Sequence, residues 1–139
     1  MKKTVLFVAL AAVMMVMPFL TTGSVFAFMV ATGPDEVQLT GTLYNSNHKN
    51  AKGTDTLSVF IRHKQMGFKV EDARDITGDA SKLDILEAIF PPKLVIEGSS
   101  DTIALLQKPE MEGKLITMEG YLYISSGMFN VTRTWKGKK

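Results

Sequence analysis

The chain contains no cysteine among its 139 residues, and this absence excludes several kinds of chemistry at once. Without a thiol there is no disulfide, no thiolate ligand for a metal, no cysteine nucleophile and no cysteine that could carry a lipid anchor. A folded domain in this chain therefore depends on its apolar core. Residues 28–139 are long enough to build such a core, because domains above about 70–80 residues fold without covalent staples.

Histidine is nearly absent as well. The two histidines, His48 and His63, are separated from each other and from any acidic run, which favours exposed polar positions over a metal site or a general base. No catalytic constellation is recognisable, so we predict a protein that is not an enzyme and that holds no cofactor or metal. The alternative is a metal-dependent protein or enzyme that uses the acidic segment 71–84 with a histidine, although this segment lacks the ligand order of a calcium loop.

An excess of positive charge is also missing from the main part of the chain. The 16 basic residues include Lys2 and Lys3, and without residues 1–27 the chain has 14 basic and 14 acidic side chains. A nucleic-acid partner normally leaves a net basic footprint. We therefore expect no nucleic-acid partner.

Residues 1–27 have the pattern of a signal peptide. Lys2 and Lys3 precede an apolar run at Thr4–Leu20, and small and polar residues lead to a cleavage site after Ala27. We predict export to the periplasm or the medium, followed by one domain over residues 28–139. The alternative is an uncleaved anchor, because a run of 17 apolar residues is near the lower limit for a spanning helix. The protein would then be a membrane-anchored accessory subunit that contacts the membrane only through this segment.

Alternation of apolar and polar residues predicts a mainly β domain. Strands are predicted over 36–45, 55–63 and 68–70, and 93–98 and 102–107 are expected to form a further strand pair. Residues 46–54 and 108–114 are predicted loops, and 71–80 a charged connector. On the first two strands the inward positions are Val37, Leu39, Gly41, Leu43, Leu57, Val59 and Ile61.

One short helix is predicted, over residues 81–90. Ser81 is suited to cap its start, and Asp84 lies at the spacing of a capping box. Pro91 and Pro92 end it, because proline disfavours helix in the residue before it and lacks a backbone donor. The apolar residues at helical intervals are Leu83, Leu86 and Ile89 or Phe90.

Residues 115–135 read as a hairpin, and its loop length decides which side chains face the core. With an even loop, Ile124 lies opposite Phe129. A three-residue loop would pair Glu119 with Arg133 but would bury polar residues, so the even loop is favoured. The predicted core face is then Ile116, Met118, Leu122, Ile124, Phe129, Val131 and Trp135.

Two predicted strands share a pattern with a central glycine, "VQLTGTLYN" at 37–45 and "ITMEGYLYI" at 116–124. Glycine weakens a strand unless the strand bends sharply, so Gly41 and Gly120 predict the strongly bent strands of a small barrel. With the helix before the final strands, this pattern resembles the OB-fold. The segment "MEGKLITMEGYLY" at 111–123 is similar to exported bacterial OB-like domains and to the tRNA-anticodon-like OB group.

The resemblance implies a small closed or partly open β-barrel with one helix. Its first and fourth strands would lie side by side, so that Gly41 and Gly120 would be on neighbouring strands. The strand pair predicted at 93–107 departs from a minimal OB-fold. A seven-stranded β-sandwich or barrel is therefore the alternative.

Four aromatic side chains on outward-facing strand positions form the candidate site: Tyr44, Phe60, Tyr121 and Tyr123. OB-folds bind ligands by stacking them on such faces. Against this, tyrosine is common on exposed strands because it suits a pleated surface. We predict a binding or interaction module, whose partner is another protein, a glycan or a small ligand.

The two interpretations of the N-terminal segment differ in the mass of the exported chain. If residues 1–27 are a signal peptide, the mature chain begins at Phe28, because the small residues up to Ala27 are the ones that the peptidase recognises. Intact-mass spectrometry of the exported protein measures this start. A mass that includes residues 1–27 would establish the anchor instead.

Overall fold

The computed structural model describes residues 34–137, which form a closed six-stranded β-barrel. The predicted signal peptide lies outside these residues. The strands are β1 (Asp35–Asn45), β2 (Thr56–Ile61), β3 (Lys64–Asp75), β4 (Lys93–Gly98), β5 (Leu115–Tyr123) and β6 (Met128–Lys136). The helices are α1 (Lys82–Ala88) and α2 (Ser100–Leu106), and single 3-10 turns occupy Lys49–Ala51 and Pro109–Met111.

The strands follow the order β1-β3-β2-β4-β6-β5 around the barrel, and β5 pairs with β1 to close it. β4 is parallel to both of its neighbours, and the other four pairings are antiparallel. The prediction of a small β-barrel with a helix before the final strands is confirmed. Its six strands differ from the five of a minimal OB-fold and from the seven of the alternative.

The core is the interior of this barrel. The inward side chains predicted on the first two strands are buried, with Val37, Leu39 and Val59 completely so. Each such aliphatic side chain stabilises the fold by about 1.5–3 kcal/mol relative to an exposed one. The apolar faces of α1 and α2 add Ile85 and Ile103 to the same core.

The two central glycines lie where the strands slip by one residue. The register of β1 against β3 shifts between Thr40 and Gly41, and that of β5 against β6 shifts between Glu119 and Gly120. A Cβ on Gly41 would overlap the carbonyl oxygen of Lys69, and one on Gly120 would overlap that of Asn130. The two glycines are on neighbouring strands as predicted, because β1 and β5 are paired, and each marks a bulge.

The boundary predicted for β3 is wrong. The strand continues to Asp75, so residues 71–75 belong to it and not to a connector. Gly41 pairs with Val70 and Thr40 with Asp72, which leaves Glu71 as the extra residue of the bulge. The extra residue shifts the apolar–polar alternation by one position. The second half of β3 therefore does not continue the pattern of the first half and is not predicted as strand.

The strand predicted at residues 102–107 is also wrong, because this segment forms α2. The Ser99 hydroxyl accepts a hydrogen bond from the Thr102 amide at 3.2 Å, as an N-cap does. Ile103 and Leu106 are buried at a helical spacing. The polar residues before the segment therefore begin a helix instead of forming a turn between two strands.

Helix α1 has the predicted capping and part of the predicted apolar face, since Ile89 is buried and Leu86 packs against the core. Ser81 and Asp84 form the complete capping box, with the Ser81 amide donating to Asp84 Oδ2 at 2.9 Å. The helix buries Ile85 and Ala88, and Leu83 is exposed. Of the predicted alternatives Ile89 and Phe90, Ile89 is buried, whereas Phe90 lies past the end of the helix and is 87% exposed.

The final hairpin has the predicted even loop in a different register. Four residues, Ile124–Gly127, connect the strands, and Leu122 lies opposite Phe129 in place of Ile124. The bulge at Gly120 then changes the parity of β6, so that Glu119 pairs with Arg133. Beyond this point the prediction fails: Trp135 lies opposite Thr117 on the outer face and is 40% exposed.

The bulge at Gly120 predicts a strong effect of a single methyl group. Gly120→Ala should destabilise the protein by about 2–3 kcal/mol, because the new Cβ meets backbone that cannot move without breaking the β5–β6 pairing. Urea unfolding of the purified protein measures this loss.

Gly113→Ala is the matched control. Gly113 has a φ of 76° and no heavy atom within 4 Å of a Cβ, so this change costs only the backbone strain of about 1 kcal/mol. Equal losses in the two variants would contradict the role assigned to Gly120.

Candidate functional site

The four predicted aromatic residues do not form one patch. Tyr44 lies near the end of β1, opposite Gly67, and its ring stacks on His48 with the centroids 4.7 Å apart. Tyr121 lies opposite Glu36 near the start of the same strand, eight positions away, which is roughly 26 Å along a strand. Tyr44 and Tyr121 therefore do not share a patch.

Phe60 and Tyr123 belong to a continuous row of outward side chains. The row crosses four strands and consists of Phe60, Val95, Met128 and Tyr123, each paired with the next. All four side chains are outside the barrel, because their sequence neighbours Val59, Leu94, Phe129 and Leu122 are in its core. We call this set the apolar row.

A groove of about 350 Å³ opens beside Val95 in the apolar row. It is lined by residues 89–91 after α1, by 93–95 at the start of β4 and by the hairpin loop 124–127. Leu94 and Ile89 are buried along it, and Phe90 stands in solvent at its edge. A hydrogen bond of 2.8 Å from the Val95 amide to the Gly127 carbonyl fixes the hairpin loop against β4.

The sequence pattern does not place Phe90 and Val95 in a surface site. Phe90 precedes two prolines, so the helix ends before it and the ring is not carried into the core. This signal was present in the sequence. The meeting of residues 93–95 with the loop 124–127 depends on the parallel β4–β6 pairing, which no local pattern indicates.

Lys93 provides the positive charge of the groove. Its ammonium lies 4.7 Å from the centroid of the Phe60 ring, a cation–π contact. Among residues 34–137, no carboxylate forms an ion pair with Lys93. The groove thus combines apolar walls with one cation whose partner within the chain is an aromatic ring.

A second surface lies on the outer face of β1, β5 and β6. Its centre is Glu119, whose side chain is only 9% exposed although it points away from the core. Gln38 donates to this carboxylate at 3.2 Å, and Arg133 donates to it through both Nε and Nη2. We call Gln38, Glu119 and Arg133 the polar ladder.

The polar ladder determines the ionisation of Glu119. The hydrogen bonds from Arg133 lower the pKa of this carboxyl below its ordinary value, and burial opposes the shift. Arg133 nevertheless keeps 69% of its side chain exposed, with the guanidinium 5.9 Å from the ring centroid of Trp135. A charged group is therefore held in a fixed place on the surface.

The acidic segment 71–84 does not gather its carboxylates around one point. Asp72 pairs with Arg74 at 2.9 Å, Asp75 accepts from the amides of Gly78 and Ala80, and Asp84 caps α1. His48 accepts from the Asn50 amide, and His63 is exposed between β2 and β3. Within residues 34–137, no three histidine, aspartate or glutamate side chains are grouped as metal ligands are.

Comparisons with protein families, with characterised proteins and with solved structures find no match to this chain. None of the helices in the described part of the chain has the length and hydropathy needed to cross a bilayer.

The polar ladder predicts a pH dependence of stability. Because the pKa of Glu119 is lowered in the folded state, its ion pair stabilises the fold above the ordinary value of 4.5 and is lost as the pH falls through the lower folded value. Glu119→Gln should remove this contribution. The free energy of unfolding of the variant should therefore vary less below pH 4.5 than that of the parent protein.

Glu87→Gln is the matched control, because Glu87 is an exposed residue of α1. This variant should keep the pH dependence of the parent protein when both are unfolded by urea at a series of acidic pH values. Parallel curves for Glu119→Gln and the parent protein would show that the ion pair does not contribute.

Proposed function

We propose that this barrel is a binding module whose groove holds an extended apolar segment of a protein partner, with an acidic side chain placed at Lys93. The observation that carries the proposal is the continuity of the groove with the apolar row. Phe90 and Val95 are exposed apolar side chains at the place where a cavity opens. Contiguous apolar surface of this kind is characteristic of interaction sites.

The size of the groove fits a short peptide segment. Its volume of about 350 Å³ lies at the lower end of the range of roughly 300–1,000 Å³ found for ligand sites. Such a space accommodates a few aliphatic side chains and not a large cofactor. Complete burial of one exposed phenylalanine contributes about 1.5–3 kcal/mol, so Phe90 alone would provide a substantial part of the affinity.

The charge of the groove favours an anionic group in the partner. Lys93 has the Phe60 ring as its neighbour and forms no ion pair within the described residues. A carboxylate brought close to it in a partly desolvated site gains more from the attraction than an exposed pair does. An acidic side chain flanked by apolar ones therefore matches the groove in both charge and shape.

We place this activity outside the cytoplasm. The support is the sequence of residues 1–27, with its positive start, apolar run and small residues before Ala27. The proposed domain is an OB-like barrel, an assignment supported by the glycine-centred neighbouring strands and by the helix before the final strands. Binding, and not catalysis, is the role that such a surface suits.

The proposal predicts binding of a small amphiphile that carries the same chemistry. The probe is anilinonaphthalenesulfonate (ANS), whose aromatic rings fit apolar walls and whose sulfonate fits Lys93. Phe90→Ser, Val95→Ser and Lys93→Glu should each weaken the fluorescence-detected binding of ANS by roughly tenfold, which corresponds to about 1.4 kcal/mol. The capped peptide acetyl-Leu-Val-Asp-Val-Leu-amide should displace ANS, and its analogue with lysine in place of aspartate should not.

Two matched variants serve as controls. Leu83→Ser removes an exposed leucine on α1 outside the groove, and Lys108→Glu reverses an exposed charge in another loop. Both should bind ANS as the parent protein does. If the control variants weaken binding as much as the groove variants, or if the two peptides displace ANS equally, the groove is not the site.

A further inference from the structure

We infer that the outer face of β1, β5 and β6 is a binding site for a neutral oligosaccharide, separate from the groove. The site consists of the aromatic residues Tyr121 and Trp135, with Arg133 between them and Glu36 and Asn130 beside them. This face is not needed for the binding of a peptide in the groove, and it differs from the groove in chemistry.

The register of the strands determines how these side chains are spaced. Tyr121 lies between Glu36 on β1 and Asn130 on β6, and Trp135 lies opposite Thr117. The two aromatic residues are therefore four positions apart along β5, roughly 13 Å. Both are outward, with Tyr121 38% exposed. A ligand that spans them needs a flat apolar surface at each end.

The polar group between the aromatic residues is fixed before a ligand arrives. The buried carboxylate of Glu119 binds Nε and Nη2 of Arg133, which leaves Nη1 as a free donor on the surface. The guanidinium of Arg133 also lies over the Trp135 ring, 5.9 Å from its centroid. Because Arg133 is already held in one place, little conformational entropy is lost when it donates to a ligand.

The charges on this face favour a ligand without charge. The cation of Arg133 is balanced by Glu119, and Glu36 is close enough to contribute to the raised pKa of Arg133, after the larger effects of Glu119 itself. With Lys136, which is exposed beside Trp135, the face carries two carboxylates and two cations and has no net charge. Such a face lacks the basic excess that nucleic acid and acidic polysaccharides need.

Sugar hydroxyl groups match the polar groups that remain. A hydroxyl both donates and accepts, and the face presents a donor in Arg133, an acceptor in Glu36 and an amide of both kinds in Asn130. The apolar faces of sugar rings pack on aromatic side chains. Tyr and Trp suit a sugar because each has an apolar ring and one polar O–H or N–H group. A short neutral oligosaccharide satisfies both requirements.

The chain contains one tryptophan, so its fluorescence reports on this face alone. We expect cellohexaose or chitohexaose, two neutral hexasaccharides, to produce a saturable change in the Trp135 emission of the full-length protein. Tyr121→Ala should weaken this binding at least tenfold. Arg133→Lys keeps a positive charge for Glu119 but lacks the planar fork, and it should weaken the binding as well.

The controls separate this site from the groove and from other ligands. Tyr44→Ala, on the distant part of β1, and Val95→Ser, in the groove, should leave the titration unchanged, and circular dichroism should show that every variant is folded. No change in emission with either neutral sugar would overturn the inference. Tighter binding of hexagalacturonate or of a ten-residue oligothymidylate would overturn it too, because the charge argument would then be wrong. A weakened titration in Val95→Ser would show that the two surfaces are not separate.

Discussion

The barrel depends on two places where a strand slips by one residue at a glycine. Gly41 and Gly120 lie on the paired strands β1 and β5, and neither position has room for a side chain, because the backbone of the neighbouring strand occupies that space. A bulge increases the local twist and bends the strand. This bending allows six strands to close around a single core. The rest of the architecture follows from that closure.

The slip at Gly120 also decides what the protein presents to solvent. Without it, β6 would turn Trp135 inward and Arg133 would not lie opposite Glu119. With it, the end of β6 carries an indole and a guanidinium on the outer face, and a carboxylate is buried beneath them. A backbone irregularity thus determines both the stability of this region and its surface chemistry.

The sequence allows the local features of this fold to be predicted and leaves the long-range ones open. β1, β2 and the capped start of α1 follow from alternation and from the Ser81–Asp84 spacing, because each depends on residues close together in the chain. The role of the two glycines follows from the cost of glycine in a strand. α2 was misassigned because a run of six residues such as "TIALLQ" suits either a strand or a helix. The face of Trp135 was misassigned because a bulge changes the parity of every residue after it.

The candidate site shows the same division. Tyr121 and Tyr123 are outward as alternation predicts. Whether Tyr44 lies near them depends on the register of β1 against β5, which a single sequence does not give. The groove cannot be predicted from local patterns, since a parallel pairing brings together residues about thirty positions apart in the chain. Side chains that share a surface without sharing a segment cannot be grouped from a single sequence.

Closure of the barrel has a consequence for recognition. Among residues 34–137, every strand pairs on both sides over at least part of its length, so no whole strand is left as a free edge and recognition depends mainly on side chains. This arrangement limits edge-to-edge pairing between copies of the barrel. Its outer positions are also free to vary without loss of the hydrogen-bonded frame, so the specificity of such a barrel can change while its fold stays the same.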